Sequence, residues 1–213
     1  MLMPRRNKID SLSNCHSEKE EEETYVSLNS DEMVEELLVR TRRLMVVGEI
    51  DEVVSTHICN YLQLFSLTNE PIYMYIHSPG GCLTSGYAIV DQMLLSSCPI
   101  YTIVRGQANS MSAIIAAFGT KGCRYATANS SIMLHSIIIG STGQSIEKHV
   151  GMLNHVQVDY NKKVASLAKQ LKVNQKTLLK MMQETKWMSP DEAITVGLID
   201  GIWTPELEKR VSQ

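Results

Sequence analysis

The chain has 213 residues, 44% of them hydrophobic and 20% charged, enough for one domain with a full core. A formal net charge of −3 leaves no basic footprint for nucleic acid, and no apolar run approaches the roughly 18 residues of a membrane-spanning helix. The N-terminus lacks the apolar stretch of a secretory signal, so a cytoplasmic protein that binds neither nucleic acid nor membrane is expected.

Residues 1–30 read as a mobile acidic tail. Glu18, Lys19 and Glu20 to Glu23 follow one another, and apolar residues are nearly absent from Ser11 to Thr24. Such a composition cannot offset its own ordering entropy. Residues 31–213 then read as one domain. A short helix over 31–38, with Ser30 as its N-cap, precedes a buried strand over 43–47. Helical spacing over 53–67 leads to a second strand over 71–76, closed by Ser78-Pro-Gly-Gly81. A helix over 84–95, a strand over 100–104, an apolar helix over 110–118 and short strands over 124–127 and 131–134 follow. This alternation predicts an α/β fold of repeated β-α-β units with a largely parallel sheet.

Residues 144–171 predict one long amphipathic helix, with Ile146, Val150, Leu153, Tyr160, Val164, Leu167 and Leu171 on its apolar stripe. It is long for a compact domain, which favours a helix that projects toward another subunit. A helix over 175–184 and a last strand over 197–200 complete the pattern. Cys15, Cys59, Cys82, Cys98 and Cys123 show no C-x-x-C spacing, so they read as free thiols with neither a disulfide framework nor a metal site.

Three segments carry candidate chemistry. In Gly106-Gln-Ala-Asn-Ser-Met-Ser112 a strand turns into a helix, placing Ser110 beside free amide groups at a helix start. A serine there is either a plain N-cap or a nucleophile whose tetrahedral intermediate is held by backbone N–H groups. Ser78-Pro-Gly-Gly81 is either a turn or a source of such an amide. His135, after the apolar strand Ile132-Met-Leu134, is either an ordinary strand-end histidine or a general base.

In their order and spacing these segments resemble the Clp protease proteolytic subunit (ClpP) family, as do Gly48-Glu-Ile-Asp51, Gly143-Gln144, Met188-Ser-Pro-Asp-Glu-Ala193 and Gly197-Leu-Ile-Asp200. The resemblance spans about residues 30–205. It implies a crotonase-like α/β fold whose long helix is a projecting handle. It also implies a serine endopeptidase that needs no cofactor and no metal. Ser110 aligns with the nucleophile, His135 with the base, and Gly81 and Met111 with the oxyanion-hole amides. Seven-membered rings stacked into a homo-oligomer of fourteen are implied, fed with unfolded polypeptide by an ATP-driven (AAA+) unfoldase. A preference for an apolar residue before the scissile bond belongs to the same resemblance. An acyl-CoA enzyme of the crotonase type would share the fold and the oxyanion hole, but it has no need of a serine–histidine pair here.

Two positions depart from the family pattern. The third catalytic residue of the family is an aspartate, and reading back from Met188-Ser189 that position is Thr185. Counting forward from His135 lands instead on Glu184. Either Glu184 reaches His135, or Thr185 or water orients the ring, or the chain is a weakly active or inactive structural subunit. After His135 the family has proline and a glycine pair, whereas this chain has Ser136-Ile-Ile-Ile-Gly140. Three consecutive isoleucines predict a good strand there.

Overall fold

The structure is a computed structural model that describes residues 30–140 and 145–211. The acidic tail and Gly143-Gln144 lie outside the described residues. Helix α1 (Ser30–Arg40) belongs to an N-terminal unit of its own, and a second compact unit runs from Thr41 onward.

In the second unit strands and helices alternate as expected. They are β1 (Arg43–Ile50), α2 (Glu52–Phe65), β2 (Ile72–Gly81), α3 (Leu83–Leu95), β3 (Ile100–Asn109), α4 (Met111–Ala117), β4 (Arg124–Ala126) and β5 (Ser131–Leu134). Then come α5 (Ile146–Leu171), α6 (Gln175–Gln183), β6 (Lys186–Met188), α7 (Pro190–Thr195), β7 (Gly201–Ile202) and α8 (Pro205–Val211). The sheet runs β1-β2-β3-β4-β7, with β5 pairing both β3 and β6. Every pairing is parallel except β5–β6. The β-α-β crossovers account for this, since parallel neighbours need a helix-length connection.

β3 organises the site. Its first half pairs with β4 at Thr102–Val104 and its second half with β5 at Gln107–Asn109. Between Val104 and Ala108 the chain slips by two residues relative to β2. Gly106 makes this possible: its φ is +73°, and a Cβ there would stand 2.6 Å from the His77 ring. The sequence places strand ends at Ile76 and Val104 because Ser78-Pro-Gly-Gly81 and Gly106 look like breakers. They are irregularities inside longer strands, and both strands run on to the site.

Helix α4 is buried along its whole length. Its Ile115 is fully buried, and such a side chain contributes about 1.5–3 kcal/mol. Helix α5 divides in two. Tyr160, Val164, Leu167 and Leu171 are in the core, whereas Ile146 and Val150 are 78% and 51% exposed. The apolar stripe therefore outlasts the core that this chain supplies. Residues 135–140 are not a strand, contrary to the isoleucine pattern, and Ile138 is 87% exposed. Among the described residues no strand of the chain runs beside them, and strand propensity without a ladder partner makes no strand.

The predicted strand over 197–200 is instead a turn, with Gly197 at φ +75°, and the strand follows at Gly201–Ile202. Asp200 is freed to pair with Arg124, whose side chain is 3% exposed (Nη2–Oδ1 2.6 Å, Nε–Oδ2 2.8 Å). Burial raises the Asp200 pKa, but the Arg124 hydrogen bonds and charge, with the N–H groups of Arg124 and Gly122, outweigh it and hold the carboxyl below its usual value. A lowered folded-state pKa gives stability that is present above the unfolded value, near 4, and is lost as pH falls through the folded value. Asp200→Asn leaves Arg124 without its counter-charge, and about 2–4 kcal/mol of unfolding free energy is expected to go at pH 7, read as a lower urea midpoint. The gap between variant and wild type should narrow below pH 4.

Candidate active site

The parallel register brings Ser110 and His135 to the same end of the sheet. Asn109 on β3 stands opposite Met133 on β5, so the next residues of each strand emerge together. Ser110 sits at the corner between β3 and α4 with φ 56° and ψ −121°, a conformation that L-residues rarely adopt. Its N–H donates to the Met133 carbonyl at 2.7 Å, and Ser112 Oγ lies 2.8 Å from the carbonyl oxygens of both Ser78 and Asn109. These bonds hold the corner. Gly80 lets it close: a Cβ there would stand 2.7 Å from Ser110 Cβ and 2.5 Å from the Asn109 carbonyl.

Ser110 occupies the N-cap position of α4, but its side chain makes no capping hydrogen bond. Oγ instead lies 2.8 Å from His135 Nε2. A plain capping serine bonds an amide of the first turn, and Ser110 does not. His135 is half-buried.

Gly81 and Met111 flank this pair. Met111 is the first residue of α4, so its N–H has no acceptor inside the helix. Gly81 has φ +151° and lies so close to β1 that a Cβ would stand 2.4 Å from the Ile50 carbonyl. Gly81, Met111, Ser110 and His135 all line one cavity of about 390 Å³. Its walls are mostly apolar and include Leu83, Ile114, Val164, Leu167 and Met182. A few polar groups inside an apolar cleft is the usual make-up of a substrate site.

The third position is less complete. The last rung of the antiparallel ladder pairs Leu134 with Lys186, and His135 and Thr185 each adjoin it. Thr185 has φ 52°, and its N–H donates to the Met182 carbonyl at 3.3 Å. Among the described residues neither Thr185 nor Glu184 hydrogen-bonds to His135. Glu184 caps α6 and forms a loose ion pair with Lys180 (3.8 Å), with 61% of its side chain exposed. Of the two residues it is Thr185 that directly adjoins the last rung of the β5–β6 ladder.

The structure adds lining residues that sequence reading passed over. Tyr87 and Lys163 face the cavity, and so does Cys82 at the start of α3. The Cys82 thiol is brought down to about 7, chiefly by the Ser85 N–H and then by the Thr84 hydroxyl. Cys59, Cys82, Cys98 and Cys123 are free thiols, and Cys15 lies outside the described residues. The signal for Lys163 was the Asp159-x-x-x-Lys163 spacing within the stripe of α5, one helical turn apart.

The family model for the Clp protease matches residues 24–206. The chain is 36% identical over 172 residues to an ATP-dependent Clp protease proteolytic subunit of Ligilactobacillus salivarius (strain UCC118), covering 78% of this chain and 84% of that protein. It is 34% identical over 179 residues to the ATP-dependent Clp protease proteolytic subunit of Leuconostoc citreum (strain KM20), covering 81% and 88%.

Proposed function

The chain belongs to the Clp protease family, and on that premise we propose that it is a serine endopeptidase working through an acyl-enzyme on Ser110. The observation that carries the reading is the 2.8 Å contact between Ser110 Oγ and His135 Nε2 at the mouth of a largely apolar cavity. Ser110 Oγ attacks the carbonyl carbon of the scissile peptide while His135 Nε2 takes its proton. The negative charge that develops on the carbonyl oxygen is met by the N–H groups of Gly81 and Met111. His135 returns the proton to the leaving amine, the C–N bond breaks, and an ester remains on Ser110. Water, deprotonated by the same imidazole, then attacks the ester and frees the new carboxyl terminus.

The assembly belongs to the same proposal. Exposed Ile138, Ile146 and Val150 are the apolar surface that a neighbouring copy would cover. They fit two seven-membered rings meeting through α5, with unfolded polypeptide delivered to the inner chamber by an AAA+ unfoldase. No described helix is long and apolar enough to cross a membrane, which fits a cytoplasmic particle. The compact unit that carries Ser110 and His135 runs from Thr41.

A second reading is favoured by the missing acid at Thr185. On that reading the chain is a weakly active or inactive subunit that builds the ring. A fluorophosphonate, which reacts with an activated serine, separates the two. The active reading expects a single covalent adduct, mapped to Ser110 by peptide mass and absent after denaturation of the protein. No adduct on the assembled particle, with its mass checked natively, leaves the structural reading.

A further inference from the structure

Lys163 on α5 lines the cavity beside Ser110 and His135, and among the described residues no other lysine or arginine does. Its ammonium is fixed rather than free. It forms an ion pair with Asp159, one turn earlier on the same helix, and lies 4.9 Å from the centroid of the Tyr87 ring. The Lys163 side chain is 19% exposed, whereas that of Asp159 is 41% exposed and outside the cavity lining. Lys163 thus belongs to the cavity lining, and Asp159, its counter-ion, does not. An ammonium has three N–H donors, and the Asp159 contact uses only part of them.

A carboxylate or amide oxygen brought up to Lys163 meets a charged donor, while the apolar walls cover the aliphatic stem behind it. A lysine side chain meets a like charge held in place.

We propose that Lys163 is a specificity-determining residue, biasing the cavity toward a glutamate, and less strongly a glutamine, before the scissile bond and against lysine there. The inference rests on the Ser110–His135 reading, since that pair fixes where the scissile bond lies. It adds to the apolar preference implied by the family resemblance: leucine remains accepted by the walls, and glutamate gains on it.

The test uses diphenyl phosphonate esters of one peptide that differ only in the last side chain, leucine, glutamate or lysine. Ser110 Oγ forms a bond to phosphorus and one phenol leaves with the serine proton, so labelling rate is read from intact mass on the full chain without turnover. Wild type should label with the lysine probe at least tenfold more slowly than with the glutamate probe. Lys163→Met should lower the glutamate-to-leucine rate ratio about tenfold. Asp159→Asn, which removes the counter-charge and keeps the cation, should raise the same ratio severalfold. Opposite movement in the two variants is what a packing role cannot produce. Ratios unchanged within twofold, or moving together, overturn the inference and leave the catalytic reading standing. Labelling by the simple fluorophosphonate but by none of the peptidyl probes also overturns it, because the cavity then does not receive that side chain. If neither reagent class modifies Ser110, the catalytic reading fails and this inference falls with it.

Discussion

Ser110→Ala should reduce peptide hydrolysis by at least about 10²-fold while leaving the fold intact. The estimate follows from how triads share their effect. Loss of the serine or histidine in a complete triad costs about 10⁶-fold, and loss of the acid alone costs about 10⁴-fold. A chain with threonine at the third position starts from the lower level, so about 10² remains for the nucleophile to lose. Stability should change little. Ser110 Oγ has His135 as its partner and caps nothing, and alanine keeps the same backbone strain at φ 56°. His135→Ala should cost about as much, and the double variant little more, since the two side chains act as one unit. The check is hydrolysis of a fluorogenic peptide beside a thermal melt for each variant. If Ser110→Ala retained more than a tenth of the activity with an unchanged melt, the nucleophile would have to lie elsewhere.

How much of this was open to the sequence depends on the kind of constraint. The β-α-β order was legible because buried parallel strands such as Ile100–Val104 and intervening helices have different periods. The bulges were not. Gly106 and Ser78-Pro-Gly-Gly81 carry the composition of turns, and only the neighbouring strands show that β2 and β3 continue through them. β6 (Lys186–Met188) was missed because three residues carry no period. It exists through its ladder to β5, a contact remote in sequence. α8 was missed because Pro205–Val211 is mostly charged. Its place is set by Leu207 and Val211 against the Tyr75 and Trp203 cluster, and by Glu208, which accepts hydrogen bonds from Trp203 Nε1 at 2.7 Å and Tyr75 Oη at 3.1 Å. At the site, Ser110 and His135 were legible as candidates through the ordered set of motifs, while each segment alone read better as an N-cap or a packed histidine; their 2.8 Å contact joins residues 25 apart in the chain.

Thr185→Asp should raise peptidase activity by about 10²–10⁴-fold, the gain that a restored acid brings to a serine–histidine pair. Register argues for the position: the last rung pairs Leu134 with Lys186, and His135 and residue 185 each adjoin it. Backbone conformation argues for it independently. Thr185 has φ 52°, where a β-branched side chain is an outlier and aspartate is several-fold enriched. The replacement should therefore cost no stability and relieve some strain. A carboxylate there can hold the ring of His135 and meet the positive charge that it gains in the transition state, which a hydroxyl cannot do. Glu184 supplies the control. Its side chain is mostly exposed and paired with Lys180, so Glu184→Gln should leave activity within about twofold. If Glu184→Gln instead abolished activity and Thr185→Asp did little, the glutamate would be the orienting acid and the helix end would have to shift to let it reach. If both variants were silent and no fluorophosphonate adduct formed, the missing acid would not be what limits this subunit, and its part in the ring would be structural.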